Sequence, residues 1–197
     1  MKKIVITGGL GYIGTELCKI YSGYSWNDKI TVIDNRFISE RVNQLRNWNM
    51  TFIQGDILDK DLINNYCKDA DIVHHLAGIT DVPRVKSESD LEKEELIRKV
   101  AEEGTQNILD AISDECKIIM PSSHVVYEGL DSVKNNIKED EKTCPTLAYG
   151  KSKDFNEKQL KNSRKNFVIL RLASVYGYST DTARINIMAN FFAKTAS

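Results

Sequence analysis

A glycine-rich turn between an apolar run and a helical segment limits the fold more than any other feature. Residues 2–7 (KKIVIT) form a short apolar run bounded by turn signals, which is typical of a buried parallel strand. Gly8, Gly11 and Gly14 follow, and a helical segment runs from Thr15 to about Tyr21. Glycines permit a tight turn against a pyrophosphate, and the helix N-terminus supplies N–H groups and a partial positive charge. The first fourteen residues therefore predict a phosphate-binding strand–turn–helix unit.

The second apolar run indicates which dinucleotide this unit binds. Residues 29–33 (KITVI) end at Asp34, and Asp34 lies 34 − 14 = 20 residues after Gly14. At about this spacing a carboxylate accepts hydrogen bonds from the adenosine ribose of NAD and repels the 2′-phosphate of NADP. We therefore predict NAD, although Arg36 close by leaves NADP binding open. The alternative interpretation is a glycine-rich turn that binds no ligand.

Apolar runs and helical segments alternate along the rest of the chain. Further strands are predicted at residues 51–53, 71–76, 117–120 and 167–170, and helices at 61–67, 91–112 and 146–160. Such alternation predicts an α/β protein with a doubly wound (Rossmann), mostly parallel sheet and helices on both faces. Residues 83–89 and the charged segment 131–143 are predicted loops.

Composition narrows the class of partner. The 197 residues are enough for one α/β domain, and a net charge of −1 predicts neither a nucleic-acid nor a membrane partner. The apolar run after Met1 is too short for a signal peptide, and no stretch reaches transmembrane length. The four cysteines are widely spaced without a C-x-x-C pair, which predicts reduced thiols, no metal site and a cytoplasmic protein.

Tyr149 and Lys153 are the candidate acid–base pair. They are four residues apart, so they share one face of the predicted helix. A unit charge about 4 Å away is worth roughly 4 kcal/mol at an effective dielectric constant of 20. That energy would lower the pKa of a phenol from about 10 by up to about 3, which makes Tyr149 a candidate general base near neutral pH. The alternative is two unrelated surface residues.

Other polar residues stand where strands of the sheet end. Ser122 and Ser123 follow the fifth strand, at the sheet edge where ligands bind, although a helix cap or turn is the alternative. Asp56 is a candidate partner for an adenine amino group or, alternatively, a helix N-cap. His74 and His75 are interpreted as satisfied core or strand-end histidines, because no acidic residue or cysteine has metal-site spacing to them.

An ordered set of short motifs now resembles one family. The chain is similar to the extended short-chain dehydrogenase/reductase family, in its nucleotide-sugar epimerase/dehydratase branch, from residue 1 to about 177. The motifs that carry the resemblance are residues 7–14, Asp34–Asn35, residues 55–57, residues 75–78, Ser122–Ser123 with Val126–Tyr127, residues 149–153, and Leu170–Arg171 with residues 175–177.

The resemblance implies roles for matching residues. Tyr149 would be the catalytic base, Lys153 would hold the nicotinamide ribose and tune Tyr149, and Ser123 would bind the reacting oxygen. Ser123 is preferred to Ser122 because it precedes Tyr127 by four residues. Ser174 stands where the family has an Asn. Together with Ser123 and Tyr149, it is expected to bind the substrate. The residues implied for NAD are Gly8, Gly11, Tyr12, Ile13, Gly14, Asp34, Asn35, Asp56, Ile57, Leu76, Ala77, Gly78, Tyr149 and Lys153.

The implied reaction is a transient oxidation of a nucleotide sugar. Tyr149 removes a hydroxyl proton, a hydride moves to NAD, and the hydride returns to the other face of the resulting ketone. Dehydratases of this branch carry Asp-Glu after the catalytic Ser/Thr, whereas His124-Val125 follows Ser123 here, which favours an epimerase. A nucleotide-sugar reductase or dehydratase remains an alternative. A second alternative is a non-catalytic NAD-binding module. It is favoured because the chain has Ala101 where the family has Asn.

Three expectations concern chain organisation. We expect residues 1–180 to form the NAD-binding domain and residues 181–197 to begin an incomplete substrate-binding region, so that the chain would be a fragment. Residues 184–194 are predicted to form an amphipathic helix. The resemblance also implies a homodimer through the helices that contain residues 91–112 and 149–160.

Overall fold

Six parallel strands form one sheet in this computed structural model, which describes residues 1–24, 27–80, 90–177 and 179. The strand order is β3-β2-β1-β4-β5-β6. In chain order the elements are β1 (Lys3–Thr7), α1 (Tyr12–Gly23), β2 (Lys29–Asp34), α2 (Ser39–Asn47), β3 (Thr51–Gln54), α3 (Lys60–Cys67), β4 (Ile72–His75), α4 (Leu91–Ala111), β5 (Lys117–Ser123), a short 3-10 helix (His124–Tyr127), α5 (Ala148–Asn162) and β6 (Asn166–Leu172).

The strand order confirms the predicted doubly wound α/β fold. β1 pairs with β2 on one side and with β4 on the other, so that Thr7 stands beside both Ile33 and His75. The direction of winding reverses between β1 and β4. The connections that leave the carboxyl ends of these two strands therefore diverge and leave a crevice between them. Open α/β sheets bind ligands in a crevice of this kind.

Alternating side chains of each strand serve two separate cores. On β1, Ile4 and Ile6 pack with Cys18 of α1 and Val42 of α2, whereas Val5 points to the opposite face. The larger core on that face holds apolar residues of α3, α4 and α5. Helices therefore cover both faces, as a buried parallel sheet requires. Within the described residues, no helix is long and apolar enough to cross a membrane.

The structure corrects two details of the predicted elements. α1 begins at Tyr12, three residues before the predicted start, because its N-cap is Gly11, which has no side chain to signal a helix start. Helix α2 was not predicted, since its sequence SERVNQLRN is mostly polar and only Val42 and Leu45 are buried. The predicted loop at 83–89 and helix at 184–194 lie outside the described residues.

The glycines of the turn are required by close backbone packing. Gly8 has φ +70°, and a Cβ there would lie 2.7 Å from Cα of Ala77 in the segment after β4. A Cβ on Gly14 would collide with the carbonyl oxygen of Gly8 and would lie 2.6 Å from Cα of Gly9. Backbone atoms cannot move aside as a flexible side chain can, so α1 reaches the turn this closely only because residue 14 lacks a side chain.

A pair of glycine substitutions in α1 tests this packing. We expect Gly14→Ala to lower the free energy of unfolding by about 2 kcal/mol or more, the range of overpacked cores. Gly23→Ala meets no atom within 4 Å. It should therefore be neutral or stabilise the helix by up to about 1 kcal/mol. Urea unfolding of both variants measures the difference, and equal values would contradict the close approach.

Candidate active site

The first turn of α1 presents uncapped backbone N–H groups at the glycine turn. Gly11 is the N-cap residue, so no side chain accepts from the following N–H groups, and the first turn carries no acidic side chain. The Tyr12 hydroxyl donates to the Gly177 carbonyl over 2.6 Å, and the Ile13 side chain is 37% exposed. An uncapped helix start beside a glycine turn is a suitable site for a diphosphate.

Asp34 ends β2 directly beside this turn. Its side chain is only 4% exposed, and Oδ2 accepts the Leu10 backbone N–H over 3.0 Å. Oδ1 accepts both the backbone N–H and the Nε–H of Arg36, each over 3.1 Å. The carboxylate is therefore oriented by the turn and paired with a guanidinium group of its own chain.

Asn35, which follows β2, lies beside Asp56, and Asp56 and Ile57 follow the end of β3. The Asn35 amide donates to one oxygen of Asp56 over 3.2 Å, and the Leu58 backbone N–H donates to the other over 2.9 Å. Asp56 thus stabilises the turn before α3, whose N-cap is Asp59. The Ile57 side chain is buried in the core of the sheet face that α3, α4 and α5 cover.

The segment after β4 lies against the glycine turn. The Leu76 backbone N–H donates to the Thr7 carbonyl over 3.1 Å, and the Ala77 N–H donates to Thr7 Oγ1 over 3.3 Å. Gly78 faces open space, with no atom within 4 Å of a Cβ placed there. The predicted coenzyme residues at the ends of β1, β2, β3 and β4 are therefore together at one edge of the sheet.

A chain of buried polar groups connects this edge to helix α5. Thr7 Oγ1 lies 3.0 Å from His75 Nδ1, and His75 Nε2 lies 3.0 Å from Thr105 Oγ1. Asn156 Nδ2 of α5 donates to Thr105 Oγ1 over 3.0 Å and to the Ala101 carbonyl over 2.8 Å. His75 is thus a satisfied core histidine, as predicted. Burial, together with the charge of Lys153, lowers its pKa to about 3, so the ring is neutral at physiological pH.

Lys153 and Tyr149 are adjacent on α5, as their spacing predicts. Lys153 Nζ lies 5.8 Å from the Tyr149 ring centroid and donates to the Pro121 carbonyl over 3.0 Å. Pro121 belongs to β5, two residues before Ser123, so the helix pair reaches the strand that carries the predicted serine. Desolvation lowers the pKa of Lys153 from 10.5 to about 8, and the amine is mostly protonated at neutral pH.

The two serines at the end of β5 make different bonds. The Ser122 hydroxyl donates to Glu157 over 2.6 Å and is buried. Ser123 Oγ accepts the Val125 N–H over 3.4 Å and caps the 3-10 helix. Accepting one backbone bond leaves the hydroxyl hydrogen of Ser123 available to a ligand, whereas that of Ser122 is used by the carboxylate. This distinction supports the preference for Ser123.

A buried ion pair stabilises the strands and helix around these serines. Glu157 is 1% exposed and accepts from Arg171 Nε over 2.8 Å and Nη2 over 2.6 Å. Burial alone would raise the pKa of Glu157, but hydrogen bonds from Arg171, Ser122 and Lys161 outweigh it and bring the pKa to about 2. Arg171 also contacts Tyr127, both hydroxyl and ring.

A side chain at the end of the 3-10 helix hydrogen-bonds to the residues that precede α5. Glu128, which follows the 3-10 helix, accepts the backbone N–H groups of Thr146 and Leu147 over 2.9 and 2.7 Å. Gly150 packs against the same region, since a Cβ there would lie 3.0 Å from Pro145 Cβ and 3.1 Å from a Glu128 carboxylate oxygen. These contacts determine where Tyr149 lies relative to β5.

Ser174 lies two residues beyond Leu172, the β6 residue that pairs with Ser123 of β5. It is exposed in the segment after β6, whose Gly177 carbonyl accepts from Tyr12. Among the residues that the structure describes, no three His, Cys, Asp or Glu side chains form a group that could hold a metal ion.

Three supporting residues were not singled out from the sequence for any role. Glu157 could have been found from the sequence. It lies four residues after Lys153, on the helix face that Tyr149 and Lys153 share. Arg171 was noted only as part of a motif, and Asn156 gave no signal. Its role depends on which side of α4 faces α5, which helical periodicity alone does not specify.

Comparison with known proteins assigns the chain to a family. A family model described as the 3-beta hydroxysteroid dehydrogenase/isomerase family matches residues 5–192. A dTDP-D-glucose 4,6-dehydratase from Dictyostelium discoideum is 31% identical, over 90% of this chain and 44% of that protein. A CDP-paratose 2-epimerase from Salmonella typhi is 27% identical, over 89% of this chain and 58% of that protein. The chain spans about half the length of the curated relatives it matches.

Solved structures of the same kind of enzyme share the fold. The UDP-glucose 4-epimerase from Brucella ovis, crystallised in complex with NAD, superimposes with a TM-score of 0.73 at 27% identity. The match covers 92% of this chain and 55% of the epimerase. The relatives and structural neighbours thus include nucleotide-sugar epimerases and a dehydratase.

The buried ion pair leads to a pH-dependent prediction. Glu157→Gln leaves Arg171 buried without its counter-charge, and we expect the free energy of unfolding at pH 7 to fall by about 3 kcal/mol. The native pKa of about 2 lies below the ordinary 4.5. The wild-type advantage is therefore fully present above about pH 4.5 and is lost as the pH falls through about 2.

Urea unfolding at neutral and acidic pH measures this advantage. Glu95→Gln is the control, because the Glu95 side chain is 74% exposed and pairs with Arg98 at the surface. We expect the control to change stability by less than about 0.5 kcal/mol. A Glu157→Gln protein as stable as wild type at pH 7 would show that the ion pair does not support the fold.

Proposed function

Since the chain belongs to the extended short-chain dehydrogenase/reductase family, we propose that it binds NAD and supplies the coenzyme-binding and acid–base part of a nucleotide-sugar epimerase. The observation that carries the proposal is the position of Lys153. Its ammonium group lies beside the Tyr149 ring and at the carboxyl end of β5, whose last residue is Ser123. A protonated amine next to a phenol is what a tyrosine base needs at neutral pH.

The coenzyme would lie along the sheet edge where β1, β2, β3 and β4 end. We assign the diphosphate to the glycine turn, with the N–H groups of Tyr12 and Ile13, and the adenosine ribose to Asp34 and Asn35. The adenine ring is assigned to the segment of Asp56 and Ile57. The backbone from Leu76 to Gly78 would line the crevice, and Lys153 would hold the nicotinamide ribose. When bound, NAD would accept a hydride from the sugar carbon and return it.

The proton steps belong to the chain's own residues. Tyr149, as phenolate, would take the proton from the sugar hydroxyl at the carbon that is oxidised. Lys153 stabilises the phenolate by its charge, and the Ser123 hydroxyl donates to the same sugar oxygen. Tyr149 would return the proton to the same sugar oxygen when the oxidised carbon is reduced again from its other face. No net oxidation results, and the carbon is inverted.

Two features support an epimerase over other reactions of the family. CDP-paratose 2-epimerase and UDP-glucose 4-epimerase are among the relatives. A dehydratase is also among them. However, His124 and Val125 follow Ser123, and the His124 ring lies 3.2 Å from the Leu172 carbonyl instead of providing a carboxylate. Ser174, after β6, is proposed to contact the substrate, and residues 1–180 are proposed as the coenzyme-binding domain.

A tyrosine substitution separates coenzyme binding from chemistry. We expect Tyr149→Phe to bind NAD within about threefold of wild type, because Lys153 and the glycine turn remain. Conversion of a nucleotide sugar should fall about 100-fold or more, the usual contribution of a general base. Calorimetry with NAD and chromatography of UDP-, dTDP- and CDP-sugars after incubation measure the two effects.

The outcomes distinguish the alternatives. NAD binding without conversion of any sugar, unchanged by Tyr149→Phe, would favour a non-catalytic NAD-binding module. Net formation of reduced coenzyme would indicate an oxidoreductase, and loss of water from the sugar a dehydratase. If wild type binds no coenzyme at all, the proposal is wrong.

We also propose that the protein is a homodimer through α4 and α5. Leu96 on α4 and Phe155 on α5 are large apolar side chains that are 49% and 40% exposed on these two packed helices. We expect wild type to sediment as a dimer at micromolar concentration and Phe155→Glu to sediment as a monomer. Ile20→Glu is the control, since Ile20 is 56% exposed on α1. A monomeric wild type would contradict the proposal.

A further inference from the structure

We propose that His124 is a second acid–base residue of the site, which moves a proton at the sugar carbon next to the one that is oxidised. This inference rests on the proposed function, because Ser123 and Tyr149 must hold the oxygen of a keto sugar beside the His124 ring. It goes further than the proposed function, since hydride transfer alone leaves the hydrogen atoms of the neighbouring carbons in place.

The His124 side chain is exposed at the carboxyl ends of β5 and β6. It directly follows Ser123, the last residue of β5, and it begins the 3-10 helix that Ser123 caps. Ser123 pairs with Leu172, the last residue of β6, so the imidazole ring lies where two parallel strands end side by side. Open α/β sheets bind their ligands at this edge.

One hydrogen bond determines which ring nitrogen of His124 is the base. Nδ1 lies 3.2 Å from the Leu172 carbonyl oxygen. A carbonyl oxygen only accepts, so Nδ1 carries the hydrogen of the neutral ring and Nε2 keeps a lone pair. No residue in the described part of the chain hydrogen-bonds to Nε2. The ring is therefore oriented by its own strand neighbour, with a basic nitrogen left for a ligand.

Two carboxylates of the same region are occupied by other donors. Glu157 is buried and accepts both Nε and Nη2 of Arg171. Glu128 accepts the backbone N–H groups of Thr146 and Leu147. A carboxylate that is already paired is a weaker base, because its lone pairs are used and its charged form is stabilised. His124 is available for proton transfer where these two groups are not.

Ordinary bond lengths place the neighbouring carbon close to the residue that follows Ser123. A C=O bond of about 1.23 Å and a C–C bond of about 1.52 Å put this carbon about 2.4 Å from the ketone oxygen. Consecutive Cα atoms are about 3.8 Å apart, so the backbone of His124 lies next to that of Ser123. A base that acts on this carbon must lie beside the group that holds the oxygen, and His124 meets that requirement.

The proposed step is the enolisation of the keto sugar. Nε2 takes a proton from the carbon beside the ketone, and the electron pair of the broken C–H bond forms a C=C bond. The π pair of the carbonyl moves to the oxygen, to which the hydroxyl groups of Ser123 and Tyr149 donate. Nε2 then exchanges its proton with water and returns a proton to the carbon. The ketone is regenerated with a hydrogen from the solvent, and no oxidant or reductant is consumed in this step.

A keto sugar supplied from outside tests this step separately from hydride transfer. The probe is UDP-4-keto-6-deoxyglucose, incubated with the purified chain and NAD in D₂O, and mass spectrometry counts the deuterium that enters the sugar ring. We expect wild type to exceed the protein-free rate, and His124→Asn to lower this excess about 100-fold, the usual contribution of a general base. The Asn amide can still donate to the Leu172 carbonyl, so a merely structural role of the ring would be preserved.

A matched variant and a measurement without sugar serve as controls. Glu95→Gln changes a side chain that is 74% exposed on α4 and should exchange deuterium at the wild-type rate. The chain has three histidines, and ¹⁵N NMR of the free, labelled protein reports which ring nitrogen of each carries the hydrogen. The signal missing from His124→Asn identifies His124. We expect hydrogen on Nδ1, and a ring with hydrogen on Nε2 instead would overturn the inference.

The results separate the failure of this inference from that of the proposed function. If His124→Asn exchanges deuterium as fast as wild type, His124 is not the base. The same holds if wild type epimerises a nucleotide sugar but does not exceed the protein-free exchange rate, and in both cases the proposed function stands. If wild type exchanges deuterium through His124 but epimerises no nucleotide sugar, the inference is supported and the hydride step is wrong. If it does neither, both are wrong.

Discussion

A neutral histidine in the middle of the sheet connects the two halves of the candidate site. His75 is buried, and its two ring nitrogens contact Thr7 on one side and Thr105 on the other. Thr7 ends the strand that leads into the glycine turn, and Thr105 accepts from Asn156 on the helix of Tyr149 and Lys153. A buried imidazole with both nitrogens satisfied fixes the distance between its neighbours, since losing either bond would leave a polar group unpaired. The position of the glycine turn relative to α5 therefore depends on this series of hydrogen bonds.

The neutrality of this histidine also matters for Lys153. A charged imidazole near the ammonium group would repel it and favour the neutral amine. Burial keeps the His75 pKa at about 3. Lys153 therefore faces no competing positive charge from this ring at neutral pH, and its own pKa of about 8 leaves it mostly protonated. The hydrogen bonds from Thr7 to Asn156 thus reach α5 without removing the charge that a tyrosine base would need.

Local sequence signals predicted most of the fold because each strand is a short apolar run and each long helix has its own apolar periodicity. All six strands and the glycine turn after β1 were found in this way. Helix α2 was missed because it contributes only Val42 and Leu45 to the core, and its polar remainder resembles a loop. The start of α1 was placed three residues late because Tyr12 and Ile13 follow Gly11 without a local capping residue.

The site was predictable only as far as neighbouring residues specify it. The Tyr149–Lys153 spacing fixes their adjacency, whereas the partners of Asn156 lie 55 and 51 residues away on α4. Ala101, where the resembled family has Asn, is an instructive case. The Ala101 carbonyl accepts from the Asn156 amide, so that the facing helix supplies an amide at this place. The replacement of Asn by Ala101, which favours the non-catalytic alternative, is therefore accompanied by a hydrogen bond from Asn156 of α5.

The distribution of charge on α5 explains why the lysine remains directed towards the tyrosine. Tyr149, Lys153 and Glu157 follow one another at four-residue intervals, and an i, i+4 carboxylate would ordinarily pair with the lysine. Here Arg171 and Lys161 bind both oxygens of Glu157, and Ser122 donates to one of them. With its carboxylate neighbour satisfied by other donors, Lys153 donates to the Pro121 carbonyl and stays beside the phenol. The buried ion pair thus contributes to the electrostatics of the site as well as to the fold, because it keeps an anion from neutralising the cation that would activate Tyr149.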